Sequence, residues 1–230
     1  MAGSPLEGRG TGSIVFCLER ALGLTGCFMT GVRPLTTANR FVGRARTLRC
    51  VPTRPDVVEA RRSSGERDPH RVAIDDVSPG EVLVIDARRE PGAAVLGDLL
   101  AARVQAAGGR GVVTDGCVRD LPGLEALGFP IFAAAPNAAL FGTRHLGIDV
   151  GQPIACGGVL VMPGDVVVGD AEGVAVVPAA LEARVAELVA EQDELDEFSL
   201  EQIRAGRPVA EAFPLNAELR AELDRRRGRS

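Results

Sequence analysis

Leu96, Leu99, Leu100 and Val104 recur at helical spacing, and Gly108–Gly109 closes the run, which predicts a helix opening at Asp98. Val112 and Val113 suit a short buried strand directly after it, with Asp115–Gly116 as a turn signal at its carboxyl end. Ligands in open α/β sheets sit beyond the carboxyl ends of strands, so Arg119 and Asp120 are expected to return toward the helix opening. Upstream, Ile14, Leu18 and Leu22 predict a helix over 11–22 that Gly23 stops. Residues 41–51 read as a strand with partial alternation, and 81–86 as a strand apolar enough to be buried on both faces. Between them, 53–69 is rich in charge, proline and serine and reads as a surface excursion with one helical turn, followed by a short helix over 71–77.

Downstream, 121–127 predicts a brief helix and 129–133 a strand, while 136–146 reads as a loop. Several short strands separated by Gly-Gly, Pro-Gly and Glu-Gly turns are expected across 148–177. The Pro-Gly turn before 81–86 recurs at 163–164. That is a common way to feed a buried strand and is no evidence of duplication. Pro178 opens a long helix to about 204, with Leu181, Val185, Leu188, Val189 and Leu195 on one face. Its opposite face is acidic (Glu187, Glu191, Asp193, Glu194, Glu197), and 225–227 reads as a frayed arginine tail.

Composition narrows the chemistry. All 26 basic residues are arginine, so no lysine amine is offered for a Schiff base or for pyridoxal phosphate. With no Trp or Tyr, eight Phe and a net charge of −5, the chain is poorly equipped for direct nucleic-acid binding. The five cysteines show neither disulfide-framework nor zinc spacing, and no apolar run is long enough to span a bilayer. The opening residues lack the pattern of a signal peptide, and a reducing cytoplasm is the expected location. His70 and His145, the only histidines, stand at no metal-ligand spacing and read as surface residues.

The helix opening and the Arg-Asp pair together make a candidate site. The first N–H groups of a helix lack intrahelical partners, so those of Leu99 and Leu100 suit a small carboxylate. Arg119 can grip two oxygens at once, and Asp120 is a hard oxygen donor for Mg²⁺ or Mn²⁺. From spacing alone the plainer reading carries more weight, with Asp98 as a helix N-cap and Arg119–Asp120 as a surface ion pair.

A resemblance shifts that balance. Asp98, twenty intervening residues and Arg119-Asp120 stand in an ordered series with Gly31–Leu35 (GVRPL), Asp115–Asp120 (DGCVRD), Leu127–Pro130 (LGFP), Cys156–Gly158 (CGG), Pro163–Asp165 (PGD) and Gly173–Pro178 (GVAVVP). The series resembles the Asp-x20-Arg-Asp family. Its members include class II pyruvate aldolases acting on 4-hydroxy-4-methyl-2-oxoglutarate and 4-carboxy-4-hydroxy-2-oxoadipate, and RraA proteins, regulators of ribonuclease E.

That resemblance implies a layered β/β/α domain like the swivelling phosphohistidine-type fold. One domain would cover 1–230, with its core at about 11–178 and a C-terminal helix and tail over 179–230. It further implies a homotrimer or hexamer acting on a small 2-oxo acid, as a metal-dependent lyase that cleaves a 4-hydroxy-2-oxo acid to pyruvate or decarboxylates oxaloacetate. Asp98 and Arg119 would be catalytic, and Gly97, Leu99, Leu100 and Arg119 would bind substrate. Asp120 would hold Mg²⁺ or Mn²⁺, with Glu194 or Glu197 of a neighbouring subunit reaching it through water. Where the family commonly has Asp-Ala-Leu, this chain has Phe16, Cys17 and Leu18, so the base for the 4-hydroxyl is unassigned. A non-catalytic RraA-type regulator is the alternative. No Gly-rich loop supports a methyltransferase.

Overall fold

A computed structural model gives the structure of residues 3–228. Helix α1 (Thr11–Leu22) ends at Gly23, whose φ of +67° suits only a residue without Cβ strain. The short strand β1 (Arg33–Pro34) precedes β2 (Phe41–Pro52), the longest strand. Helices α2 (Pro55–Ser64) and α3 (Pro69–Asp75) then lead to β3 (Glu81–Asp86), buried from Val82 onward. Residues 53–69 thus hold far more helix than the single turn expected. Helix α2 has no buried residue, so apolar periodicity could not reveal it, although Pro55 near its start and Gly65 at its end mark its limits.

Next come β4 (Ala94–Leu96), α4 (Asp98–Ala106), β5 (Gly111–Thr114), β6 (Cys117–Val118), α5 (Leu121–Ala126), β7 (Ile131–Ala133) and β8 (Ala135–Pro136). Strands β3, β5 and β7 lie parallel beside β2 in the main sheet. Each is followed by an extension, β4, β6 or β8, and these three form a second, small parallel sheet in the order β4-β6-β8. Asp115–Gly116 is therefore a kink between β5 and β6, and the strand direction ends only at Arg119. Asp115 itself is buried, accepting the Ala87 N–H at 2.8 Å and the Gly157 N–H at 3.4 Å.

The remaining elements are β9 (His145–Val150), β10 (Ile154–Cys156), β11 (Val159–Val161), β12 (Val166–Asp170), β13 (Gly173–Val177), α6 (Glu182–Arg204), α7 (Val209–Ala212) and α8 (Ala217–Arg226). The main sheet runs β1-β7-β5-β3-β2-β12-β13. Strand β2 is long enough to pair antiparallel with β12 through its first half and with β9 through its second. The two Pro-Gly turns feed β3 and β12 onto opposite edges of β2, parallel on one side and antiparallel on the other.

Alternation along the strands separates two cores. Leu83, Ile85 and Val112 pack with Ala101, Val104 and Leu124 of α4 and α5. Val82, Val84 and Val113 face the opposite way, toward Ile154, Val159 and Val161 of the β10–β11 hairpin. Hairpin, sheet and helices give the expected β/β/α layering.

The apolar stripe of α6 is covered within its own chain. Val185 and Val189 pack against α1, β12 and β13, and Phe198 with Leu195 packs against Ala212, Leu219 and Leu223. The stripe is therefore spent on the chain's own core. The arginine end is not frayed. Helix α8 returns along α6, Arg226 bonds Glu201 and Glu222, and Arg227 pairs with Glu194.

Candidate active site

Two of the three extension strands, β4 and β6, place the two halves of the site. Beyond β4 the chain turns at Gly97 into α4, and beyond β6 it reaches Arg119 and Asp120 at the mouth of α5. Arg119 N–H donates to Leu96 O at 3.0 Å, which locks one strand end beside the other. The expected return of Arg119-Asp120 to the helix opening is therefore present. It lies beyond the carboxyl ends of parallel strands, where the α/β rule places ligands.

The two helix starts interlock. A Cβ on Gly97 would fall 2.2 Å from Asp120 Oδ2, and one on Gly123 would fall 2.3 Å from Asp98 Oδ2. Each carboxylate therefore lies against a glycine at the opening of the other's helix, and neither glycine has a positive φ that would explain it otherwise. Asp120 itself adopts φ +60°, ψ +42°, a left-handed conformation uncommon for a residue with a side chain. Backbone strain of this kind collects at functional sites.

Asp98 is the first residue of α4, and Gly97 is the cap, so the expected N-cap role of Asp98 is corrected by one position. Its Oδ1 accepts the Leu99 N–H at 2.7 Å. Ala101 N–H is the first to bond back into the helix, to Gly97 O, so the amides of Leu99 and Leu100 precede the ladder. Arg119 Nε lies 3.2 Å from Asp120 Oδ2 with both side chains partly exposed, which makes the ion-pair reading true as geometry.

Gly97, Asp98, Leu99, Leu100, Arg119 and Asp120 line one crevice of about 410 Å³, together with Asp68, His70, Arg71, Leu140 and Phe141. Its far wall is the segment after β8. Asn137 Nδ2 donates to Pro91 O at 2.6 Å, its Oδ1 accepts the Ala139 N–H, and Ala139 O accepts the Ala94 N–H. The crevice rim is apolar and open, with Leu99 81% and Leu140 60% exposed.

Both histidines depart from the surface role expected of them. His70 is 4% and His145 1% exposed, with Phe141 stacked at 4.0 Å on the first ring and 5.4 Å from the second. Burial lowers the pKa of each below its usual 6.5. Local sequence carries no sign of this, because their partners are the carbonyls of Val95 in β4 and Ala93 just before it, distant along the chain.

Other candidates lie elsewhere on the chain. Phe16 is on α1, which packs on α6 and β13 and contributes nothing to the crevice lining. Glu194 and Glu197 are on α6, outside the crevice of their own chain. Glu194 is taken by Arg227, and Glu197 makes no ion pair among the described residues. No group of three His, Cys, Asp or Glu side chains converges on a metal-sized point among the described residues. Asp120 is a hard oxygen donor of the kind with which Mg²⁺ is commonly bound alongside waters and substrate, so its chemistry fits such an ion.

Similarities to known proteins place the fold and the family. A protein of Halalkalibacterium halodurans provisionally named as a 4-hydroxy-4-methyl-2-oxoglutarate aldolase is 36% identical over 170 residues, 74% of each chain. The structure of Streptomyces coelicolor RraAS2, described as an unusual member of the RNase ES inhibitor RraA family, superposes with a TM-score of 0.76. It is 30% identical, over 86% of this chain and 96% of that one. The RNA-processing inhibitor RraA of Thermus thermophilis gives 0.54 at 27% identity, over 71% and 92%. No helix among the described residues is long and apolar enough to cross a membrane. The family model described as RraA-like, Aldolase/RraA, matches residues 16–176, spanning both extension strands and both halves of the crevice, and the chain belongs to that family.

Proposed function

We propose that the protein is a divalent-metal-dependent lyase acting on a short 2-oxo acid through a pyruvate enolate. The observation that carries this reading is the interlocked pair of helix starts, which brings two carboxylates, one guanidinium and the opening amides of a helix, ahead of its hydrogen-bond ladder, to one crevice.

In this reading Asp120 holds Mg²⁺ or Mn²⁺, which when bound supplies Lewis-acid polarisation of the 2-oxo group. Leu99 and Leu100 N–H groups hold the substrate carboxylate, with Asp98 Oδ1 giving up the Leu99 amide as substrate enters. Gly97 leaves the room that this close approach needs. Arg119 places its planar fork on the oxygen where negative charge develops as the C3–C4 bond breaks. Asp98 orients a water that returns a proton to the enolate carbon. Retro-aldol cleavage also removes the proton of the 4-hydroxyl, whereas decarboxylation of oxaloacetate needs no such base, and both reactions share the enolate. Glu197 of a neighbouring copy, which makes no ion pair among the described residues, suits a water-mediated contact to the ion better than Glu194, which Arg227 takes.

Pyruvate release from a panel of 4-hydroxy-2-oxo acids and oxaloacetate is the direct test. Turnover is expected to stop in excess chelator and to return with Mg²⁺ or Mn²⁺. Full turnover in verified metal-free buffer overturns the role of Asp120. A second reading, a non-catalytic regulator of an RNA-degrading enzyme, is favoured by the solved relatives described as inhibitors of RNA processing. It gains if no 2-oxo acid yields pyruvate while the protein binds and slows a ribonuclease.

A further inference from the structure

Strand β4 is the edge of the small sheet, with only β6 beside it. Its last carbonyl, Leu96 O, turns toward β6 to accept Arg119 N–H. Register shifts between Ala94 and Leu96, so Val95 has no partner residue on β6; its carbonyl, and that of Ala93 just before the strand, are buried acceptors that need partners. His70 Nε2 meets Val95 O at 2.7 Å, and His145 Nε2 meets Ala93 O at 3.3 Å. A carbonyl only accepts, so each ring carries its proton on Nε2 and leaves Nδ1 as an acceptor. Arg88 Nη2, 3.4 Å from His145 Nδ1, fits that tautomer. Phe141 packs against both rings, and its neighbour Leu140 lines the crevice.

We infer that His70 and His145 are positioning residues, holding the open edge of β4 so that Gly97, Asp98 and the Leu99 and Leu100 amides meet the Arg119-Asp120 pair in register. They act through the Val95 and Ala93 carbonyls, and β4 runs into Gly97 with no intervening loop. The inference rests on the crevice being the reactive site, but the strand-holding itself is measurable without turnover.

The test compares His70→Gln, His70→Asn and His70→Ala by site-resolved amide hydrogen exchange, with pyruvate-forming kinetics beside it. Glutamine places an N–H donor near the position of Nε2, whereas asparagine is too short to reach Val95 O. With Asn or Ala, exchange over 94–100 is expected to rise about tenfold relative to β3 and β5, as for one lost buried hydrogen bond. KM should rise with it, because the amides that hold the carboxylate lose their register. Glutamine should restore both to near the starting values. Equal acceleration in 94–100 and in β3 and β5 would show a merely structural histidine and overturn the inference, as would Asn performing as well as Gln. If the wild-type protein forms no pyruvate, the functional reading falls, and the exchange comparison still decides whether His70 holds β4.

Discussion

At the scale of single residues, the decisive feature is that two glycines make room for two acids. A Gly123→Ala change inside a helix ordinarily adds stability, up to about 1 kcal/mol, because alanine is the better helix former. Here the new methyl would meet Asp98 Oδ2 at 2.3 Å and Asp98 Cβ at 2.9 Å, so the carboxylate must move. The variant is therefore expected to melt within a few degrees of wild type while losing pyruvate methyl-proton exchange, the same phenotype as Asp98→Asn. Calorimetry and deuterium exchange on the two variants check this, and unchanged exchange in Gly123→Ala would separate Asp98 from the proton step. Arg119 tests the other half of the crevice. If it grips the developing enolate, Arg119→Lys keeps the charge but loses the planar fork, and turnover should fall about 10²–10³-fold, nearly as far as with Arg119→Ala. A surface ion pair contributes little, so on that reading lysine is almost silent. Turnover of the two Arg119 variants, measured side by side, decides between them.

At the scale of elements, what the sequence revealed depended on how locally each element declares itself. Strand β3 and helix α6 carry long apolar patterns, and both stand where periodicity put them. The Asp98 to Arg119-Asp120 spacing was equally legible, because strand, kink and extension lie within one continuous stretch. Helix α2 was nearly invisible because it buries nothing. The two histidines were misread because their environment is assembled from β4, β9 and the Phe141 turn, which meet only in the folded chain. Their burial has a measurable consequence. Both folded pKa values are depressed below 6.5 by burial, so as pH falls through 6.5 the unfolded chain binds protons that the native rings refuse. The resulting stability is fully present above 6.5 and declines as pH drops toward the depressed native values, with a slope of at most about 1.4 kcal/mol per pH unit for each ring. Asp115 works with the opposite sign, since burial raises its pKa and the native state binds the extra proton. Urea unfolding from pH 8 to 5 is expected to show the decline in wild type and a flatter profile in a His70→Gln, His145→Gln double variant. Parallel profiles would remove the histidines as its source.

At the scale of the whole molecule, the question is how the crevice is closed. The long stripe of α6 cannot serve for assembly, because α1 and the α7–α8 return cover it. Apolar surface is left elsewhere, at Leu99 and Leu140 on the crevice rim and at Leu160 and Met162 around the β10–β11 hairpin. An open rim leaves a guanidinium and two carboxylates in water, where electrostatic stabilisation is at its weakest. A second copy seated on that rim would exclude solvent and could bring Glu197 toward Asp120. The expected state in solution is therefore a trimer or a multiple of three, as the family resemblance implies, with a mass by light scattering at least three times the 24.0 kDa of the chain. Within that assembly, Glu197→Gln should weaken Mn²⁺ binding, read by titration calorimetry, while leaving the mass unchanged. Glu194→Gln should loosen the α8 return through the lost Arg227 pair and leave Mn²⁺ affinity as it was. An active monomer would exclude any contribution from a neighbouring chain. The chemistry would then rest on Asp98, Arg119 and Asp120 alone, with the exposed Leu99 and Leu140 as rim that nothing covers.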